Sequence, residues 1–173
     1  MSVSNWNIRP LEPSDRQWVA RILSERWGSA IIVSRGHIHH ADALQGFAAL
    51  WGGQASGGGG FRPGDPVGLV TYAVQDEQCE VVSLDSLVDG IGIGTRLLES
   101  VVQVGRITGC KRIWLITSND NTAALRFYQR RGWRLAALHR GALDLARLIK
   151  PSIPILGIDG IPIHDEIELE FKL

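Results

Sequence analysis

Residues 89–101, DGIGIGTRLLESV, place three alternating glycines directly before a stretch with the repeat of an amphipathic helix. Leu97, Leu98 and Val101 give that stretch its helical spacing. A helix that begins at glycines leaves its first main-chain N–H groups free, and these groups can hold a phosphate at the positive end of the helix. The stretch therefore predicts a phosphate-binding turn in the middle of the chain.

Two common phosphate-binding motifs do not fit this turn. A dinucleotide-binding fold needs GxGxxG after its first strand, whereas Thr95 stands here at the third glycine position and the turn lies mid-chain. A P-loop ends in Gly-Lys-Ser/Thr, whereas Thr95 is followed by Arg96. What remains is a strand, a short loop and a glycine turn that begins a helix.

The segments after the turn predict alternating helices and strands. The first helix ends at Gly109, and KRIWLITS (111–118) has the composition of a buried strand. NTAALRFYQRRGW (121–133) predicts a capped helix stopped by Gly132, and WRLAALH (133–139) predicts another strand. Helices and strands thus alternate over this half of the chain.

The segments before the turn predict mostly strands. A short first strand is followed by a helix that ends near Gly28, and extended pieces follow at 31–33 and 46–51. The glycine-rich stretch 52–66 predicts a mobile hairpin loop, and two apolar stretches on either side of QDEQ (75–78) predict an antiparallel pair. Strands followed by a βαβα section indicate a mixed sheet rather than a doubly wound one.

Length and composition predict one globular domain over residues 1–173, with 45% apolar and 21% charged residues and zero net charge. No apolar stretch is long enough for a membrane span, and the first twenty residues lack a signal-peptide core, so we expect a cytoplasmic protein. We expect no nucleic acid and no membrane among its partners. His37, His39 and His40 form an HxHH pattern, but without a Cys/His cluster we expect no metal.

The glycine turn and the segment at 121–133 together resemble the GNAT superfamily of acyl-CoA-dependent N-acyltransferases. The family pattern [QR]xxGx[GA] is matched with Gly92 and Gly94 as its glycines, and NxxAxxFYxxxGF is matched by NTAALRFYQRRGW. The resemblance is specific over residues 79–139, which it identifies as a cofactor-binding core. It implies an α/β (α+β) fold with a mixed, mostly antiparallel central sheet of six to seven strands, splayed middle strands and about four flanking helices.

The resemblance implies acetyl-CoA as co-substrate and no metal. Its pantetheine is expected along the splayed strand and its pyrophosphate at the glycine turn, while Asn121 is expected to bind it near the sulfur end. The cofactor-binding residues implied in this way are Val82, Ser83, Leu84, Gly90, Ile91, Gly92, Ile93, Gly94, Thr95 and Asn121.

Two residues are implied as catalytic. Tyr128 stands at the position of the family's general acid, which protonates the departing CoA thiolate; the alternative is a tyrosine that only packs in the core. Glu80 is the candidate general base, because it precedes Leu84 by four residues on the splayed strand and is therefore expected to share a strand face with Val82 and Leu84. The alternative is a solvated carboxylate at a strand end. Some members of the family carry their general base on the following strand. The matching residue here is Ile116, which cannot accept a proton, so we expect no base on that strand.

Asp89 departs from the family pattern, which has Gln or Arg at this position. A carboxylate about 4 Å from a phosphate costs a few kcal/mol, so we expect its side chain to point away and to accept main-chain N–H groups of the turn. Residues 90–150 carry eleven Lys or Arg against three acidic residues. Arg96 and other basic residues of this stretch are expected to supply the positive charge for the cofactor.

The tail predicts a short helix at Ala142–Lys150, a loop shaped by prolines and glycines, and a last strand. We expect this insert, residues 141–165, to cover the acceptor site, with Asp165 or Glu166 attracting a cationic amine. The alternating Glu166, Glu168 and Glu170 otherwise indicate a solvated strand face.

These residues favour an N-acetyltransferase that moves an acetyl group from acetyl-CoA directly to a primary amine of a small molecule. A protein acetyltransferase acting on lysine or an N-terminal amine is the alternative within the same class. A non-catalytic acyl-CoA-binding module is the alternative from another class, favoured if Asp89 blocks the site or Tyr128 lies in the core. Exposed edge strands of two copies of such a sheet can pair with each other, so a homodimer is a further alternative to a monomer.

Overall fold

The computed structural model describes residues 5–53 and 60–173 of the chain. Residues 54–59 of the mobile loop predicted for 52–66 lie outside the described residues. In the described part of the chain, no helix is both long and apolar enough to cross a membrane.

The helices and strands follow the predicted order closely. The structure adds a strand, β3, that the sequence pattern did not reveal, because HIHH carries no apolar alternation. The elements are β1 (Trp6–Pro10), α1 (Arg16–Trp27), β2 (Ile31–Ser34), β3 (His37–His40), β4 (Gln45–Trp51), β5 (Pro66–Gln75), β6 (Gln78–Ser86), α2 (Ile93–Ile107), β7 (Arg112–Ser118), α3 (Thr122–Gln129), β8 (Arg134–His139), α4 (Ala142–Ile149) and β9 (Glu166–Lys172).

Seven strands form one mixed sheet in the order β1-β4-β5-β6-β7-β9-β8, and only the β6–β7 pair in it is parallel. The hairpin of β2 and β3 forms a separate two-stranded sheet. The prediction of a mostly antiparallel sheet with four helices is therefore confirmed. β1 and β8 are the edge strands, where homodimer pairing remains a prediction.

The sheet is covered on both faces. One core lies between the sheet and α2 and α3, and a second, smaller core lies between the sheet and α1. Leu97 and Val101 of α2 are fully buried in the first, and Leu23 of α1 is fully buried in the second. The helical spacing seen in the sequence thus marks the faces that bury apolar surface.

The middle of the sheet splits open. The pairing of β6 with β7 ends at Val81 and Leu115, although β6 continues to Ser86 and β7 to Ser118. Beyond that point β6 pairs only with β5, and β7 only with β9, among the described strands. The predicted splay is confirmed, and it leaves main-chain groups of β6 without a partner on the β7 side.

A bulge changes the alternation of β6 at the beginning of the split. Ser83 pairs with Thr71 and Val81 pairs with Tyr72, so Val82 is an extra residue. As a result Val82 packs in the α1 core, while Leu84 packs against the α2 core. The expectation that Glu80, Val82 and Leu84 share a face fails at this bulge, because one extra residue inverts the side-chain alternation.

Candidate active site

Two cavities follow one another along the split between β6 and β7. The turn cavity, of about 500 Å³, lies beside the glycine turn and the beginnings of α2 and α3. The inner cavity, of about 370 Å³, lies between the split strands, the β2–β3 hairpin and the tail. Val82 lines the inner cavity and Leu84 the turn cavity, so the two spaces follow β6 in sequence.

The glycine turn has the geometry of an anion site. Gly90 and Gly92 have φ values of 78° and 85°, which L side chains rarely adopt, and Gly92 directly precedes α2. No described side chain caps this end of α2. The turn cavity is lined by six of the predicted cofactor residues: Leu84, Gly90, Gly92, Ile93, Gly94 and Thr95. Ile91 is exposed and is not among the lining residues.

Asp89 does not cap the turn as predicted. It is exposed, lines the turn cavity, and accepts no hydrogen bond from the described residues. The turn is instead shaped by its glycines and by the Ser86 hydroxyl, which donates to the Val88 carbonyl at 2.7 Å. A backbone held in this way needs no carboxylate cap.

Arg131, rather than Arg96, brings positive charge to the turn cavity. Arg131 lines the cavity, and its Nε donates to Thr95 Oγ1 at 2.8 Å while its guanidinium lies 3.6 Å from the Phe127 ring centre. Arg96 pairs with Glu99 at 2.8 Å on the exposed face of α2 and does not line the cavity. The end of α3 thus lies beside the beginning of α2, a proximity that sequence spacing does not show.

Tyr128 is largely buried, and it also lines the turn cavity. Its ring packs against Phe127 and Trp133, with ring centres 5.2 and 5.6 Å apart. Burial raises the pKa of the Tyr128 phenol, and the charge of Asp85 adds to the increase. Tyr128 is therefore a core residue that also borders the cavity, and its phenol keeps its proton at neutral pH.

Two buried carboxylates line the inner cavity, Glu80 from β6 and Glu166 from β9. Glu80 Oε2 lies 3.2 Å from His39 Nε2, close enough for an ion pair although the angle is not that of a hydrogen bond. Glu166 Oε2 accepts the Arg35 main-chain N–H at 3.0 Å. Glu80 is thus a buried cavity carboxylate, not a solvated strand end.

The inner cavity also contains polar atoms without a partner. Glu166 Oε1 and Ser34 Oγ are buried and have no hydrogen-bond partner in the described structure, and both residues line the cavity. Burial raises the pKa of the Glu166 carboxyl, while the hydrogen bond from Arg35 opposes that increase. Unpaired buried polar atoms are costly, so these two favour a polar ligand in the cavity.

The solvated face predicted for Glu166, Glu168 and Glu170 is wrong for the first two. Glu166 is 1% and Glu168 4% exposed, because the turn between β2 and β3 lies over this face of β9, where Arg35 contacts both carboxylates. Glu168 is bonded by His139 and Arg112, both at 2.9 Å. Burial alone would raise the pKa of Glu168, but these hydrogen bonds lower it below its usual value.

Three other predicted residues make hydrogen bonds within the protein, and of these three Asn121 alone lines one of the two cavities. Asp165 accepts the Gly141 N–H at 2.8 Å and lines neither cavity. The Ser83 hydroxyl is bonded to Thr71 at 2.7 Å inside the sheet. Asn121 lines the inner cavity, but its Oδ1 caps α3 by accepting the Ala124 N–H at 3.0 Å, which leaves its amide nitrogen for a ligand.

Residues 141–165 form one wall of the inner cavity, with Leu143, Ile153 and Ile163 among the lining residues. Two side chains hold this segment in place. Arg147 donates to the carbonyls of residues 153, 154 and 163 at 2.5–3.2 Å, and Lys150 Nζ donates to those of residues 27 and 31 at 2.7–2.8 Å. The segment is therefore fixed by these cations as well as by its prolines and glycines.

Asp85 was not singled out by the sequence. It is buried on β6, three residues after the bulge at Val82, and it accepts hydrogen bonds from Trp27 Nε1 at 2.9 Å and from Arg26 Nε at 3.3 Å. Burial raises its pKa. Since Trp27 and Arg26 line the inner cavity, Asp85 fixes the end of α1 against the split.

The histidines of β3 do not form a metal site with their neighbours: no group of three His, Cys, Asp or Glu with metal-binding geometry occurs in residues 5–53 and 60–173. His39 faces Glu80, whereas His37 and His40 are exposed.

Comparison with known proteins gives consistent results. The model of the acetyltransferase (GNAT) family matches residues 6–133. The uncharacterized protein YxbD of Bacillus subtilis (strain 168) is 39% identical over 167 residues, which are 96% of this chain and 99% of that protein.

Solved structures share the fold at low identity. A GNAT family acetyltransferase from Elizabethkingia anophelis with acetyl-CoA bound is 19% identical, with 99% of this chain and 100% of that chain covered and a TM-score of 0.65. Arabidopsis thaliana NAA60 in complex with a bisubstrate analogue is 17% identical, with 96% and 97% covered and a TM-score of 0.65.

The family model spans well over half of the chain, and it includes both the glycine turn and the Tyr128 segment. The resemblance inferred from those two segments is thereby confirmed. The chain belongs to the acetyltransferase (GNAT) family.

Proposed function

We propose that the protein transfers an acetyl group from acetyl-CoA directly to the primary amine of a small molecule. The observation that carries this proposal is the split between β6 and β7, along which an anion-binding turn and a cavity with two buried carboxylates follow one another. Such an arrangement suits a ternary complex in which the two substrates meet inside the sheet. No covalent intermediate with the protein is required.

Acetyl-CoA supplies an activated acetyl thioester when it is bound. Its pyrophosphate fits the uncapped main-chain N–H groups at the beginning of α2, with Arg131 supplying charge. The unpartnered main-chain groups of residues 82–84 can bond the pantetheine amides and polarise the acetyl carbonyl. The binding of acetyl-CoA or CoA by solved proteins of this fold supports acetyl-CoA as the co-substrate.

The inner cavity suits a cationic amine with an apolar body. Glu166 and Glu80 supply negative charge, while Ile32, Val33 and Ile116 are among the apolar lining residues. An amine with a pKa near 10 is protonated at neutral pH, and exposing its lone pair costs about 4 kcal/mol. We assign Glu80 as the group that accepts the ammonium proton and Glu166 as the group that attracts the cation.

Tyr128 is proposed to protonate the departing thiolate. Its hydroxyl keeps its proton at neutral pH, since burial raises the phenol pKa. Burial also raises the pKa of the CoA thiol that forms beside Tyr128. The difference between the two pKa values therefore grows less than the pKa of the phenol does, and proton transfer from Tyr128 to the sulfur stays feasible. The amine nitrogen thus loses one proton to Glu80 and one to the sulfur through Tyr128.

A small acceptor is favoured over a protein because the tail, through Leu143 and Ile153, covers the inner cavity. A protein acceptor is kept as the alternative, since a protein of this fold from Escherichia coli is a ribosomal-protein-S18-alanine N-acetyltransferase. A non-catalytic acyl-CoA-binding module is the alternative from another class, supported by the position of Asp89 at the turn cavity.

The proposal is tested by incubating the protein with acetyl-CoA and a panel of apolar primary amines and peptides, with thiol release and product mass as readouts. We expect thiol release that depends on a small amine. Acetylation of peptides alone would support the protein acetyltransferase, and calorimetric binding of acetyl-CoA without thiol release would support the non-catalytic module. Absence of acetyl-CoA binding would contradict all three.

Replacing Asp89 with Asn is expected to tighten CoA binding about threefold at low ionic strength. The exposed carboxylate lines the turn cavity, and removing a charge several ångströms from a pyrophosphate across water gains up to about 1 kcal/mol. Calorimetry at two salt concentrations measures the effect, which should shrink as salt increases.

The matched control is Asp76→Asn, an exposed residue at the β5–β6 turn that does not line the cavity. Its CoA affinity should equal that of the wild type. Unchanged or weaker binding by Asp89→Asn would show that this carboxylate does not repel the cofactor.

A further inference from the structure

We propose that His39 carries the proton from Glu80 to the solvent during acetyl transfer. The proposal rests on the proposed function, since it requires Glu80 to accept the ammonium proton of the acceptor. His39 itself lines neither cavity, so it acts through Glu80 and touches no substrate.

The His39 ring connects a buried carboxylate with the surface. Its Nε2 is buried, has no hydrogen-bond partner in the structure as described, and lies 3.2 Å from Glu80 Oε2. The side chain is nevertheless 15% exposed. Its Nδ1 has no hydrogen bond from the described residues and is not among the buried atoms without a partner, so solvent reaches Nδ1. Glu80, by contrast, is enclosed between the sheet and the β2–β3 hairpin and needs such a route.

The other charged groups near this pair have contacts of their own. Glu166, the second carboxylate of the cavity, accepts the Arg35 main-chain N–H. His139 and the Arg35 guanidinium lie 2.9 and 3.5 Å from Glu168, which does not line the inner cavity. Among the described ion pairs, His39 alone joins a carboxylate of the inner cavity to a titratable ring at the surface.

The proton balance is simple. One N–H bond of the acceptor ammonium breaks, and an O–H bond forms at Glu80. That O–H bond breaks as an N–H bond forms at Nε2 of His39, and the resulting imidazolium releases its other ring proton to water. An imidazole suits this step because it changes charge in the neutral range and exchanges protons at both ring nitrogens.

The proposal is tested with His39→Gln and His39→Ala, compared with His40→Gln, which replaces the exposed neighbour on the same strand. We expect kcat of both His39 variants to fall about tenfold or more at pH 7, with the amine KM within about twofold of the wild type. The inflection that His39 contributes to the pH profile of kcat/KM should disappear, and added imidazole should restore the rate of His39→Ala. His40→Gln should match the wild type.

Two results would overturn the proposal: pH profiles of active His39 variants that coincide with that of the wild type, or a slow His39→Ala that imidazole does not restore. If both variants unfold, NMR titration of His39 in the free wild type decides, because its midpoint must match an inflection in kcat/KM, which reports groups of the free enzyme. A wild type that binds acetyl-CoA but acetylates no amine overturns the proposed function itself, and an active wild type with unaffected His39 variants overturns only the relay.

Discussion

Replacing Tyr128 with Phe is expected to lower kcat about 100- to 1,000-fold and to leave the Kd for CoA within about twofold. The phenylalanine ring can keep the contacts with Phe127 and Trp133, so the core and the turn cavity should keep their shape. What is lost is the hydroxyl proton for the departing thiolate. Steady-state thiol release and calorimetry with CoA measure the two quantities separately.

The chain provides a matched control in its other tyrosine. Tyr72 is equally buried and lies 6.0 Å from the Phe47 ring, and burial raises its pKa as well. It lines neither cavity, so Tyr72→Phe should keep the kcat of the wild type. A Tyr128→Phe variant that retains more than a tenth of the wild-type kcat would mean that water or another group protonates the sulfur.

The raised pKa of Tyr128 leads to a prediction for the pH dependence of kcat. A phenol whose pKa lies above its usual value stays protonated further into the alkaline range. The wild-type kcat should therefore not decline between neutral pH and pH about 10, where an ordinary tyrosine ionises. A decline that disappears in Tyr128→Phe would contradict this assignment of the donor.

The sequence predicted the parts of the site that depend on local signals. Glycines before a helical repeat predict a turn of positive φ, and Gly90 and Gly92 adopt it. Tyr128 and Glu80 were selected by their place in a motif and on a strand, and both line a cavity. Such features depend on neighbours within a few residues, which a sequence displays directly.

The missed features depend on contacts between distant segments. Arg131 reaches Thr95 because the end of α3 packs beside the beginning of α2, and nothing in the spacing distinguishes it from Arg96. His39 belongs to a strand without apolar alternation, so its position opposite Glu80 appears only in the fold. In the sequence, Arg131 and His39 could have been noticed only as polar residues without an assigned role.

The sequence also did not show where the register of a strand changes by one residue. The bulge at Val82 inverts the side-chain alternation of β6, and a pattern read along one strand cannot show an extra residue. In the same way, the pairing of Glu166 with Ser118 decides that Glu166, and not the adjacent Asp165, faces the cavity. The sequence alone could only name both Asp165 and Glu166 as candidates.

Replacing Glu80 with Gln is expected to lower kcat/KM about 100-fold or more at pH 7, since a general base contributes that much. The loss should shrink as the pH rises and more of the amine is free. Glu166→Gln is the matched control, a second buried carboxylate of the same cavity. It should mainly raise the amine KM, because it removes the attracting charge without removing the proton acceptor.

The two carboxylates differ in a way that assigns their roles. Glu166 is held by the Arg35 main-chain N–H, and burial raises its pKa, so it loses its charge at a higher pH than an ordinary glutamate as the solution is acidified. The wild-type amine KM should accordingly rise below neutral pH, and it should not do so in Glu166→Gln. Glu80 instead has His39 at 3.2 Å as an outlet for a proton. If Glu166→Gln lost kcat while Glu80→Gln kept it, the base would be Glu166, and the outlet beside Glu80 would have no part in the reaction.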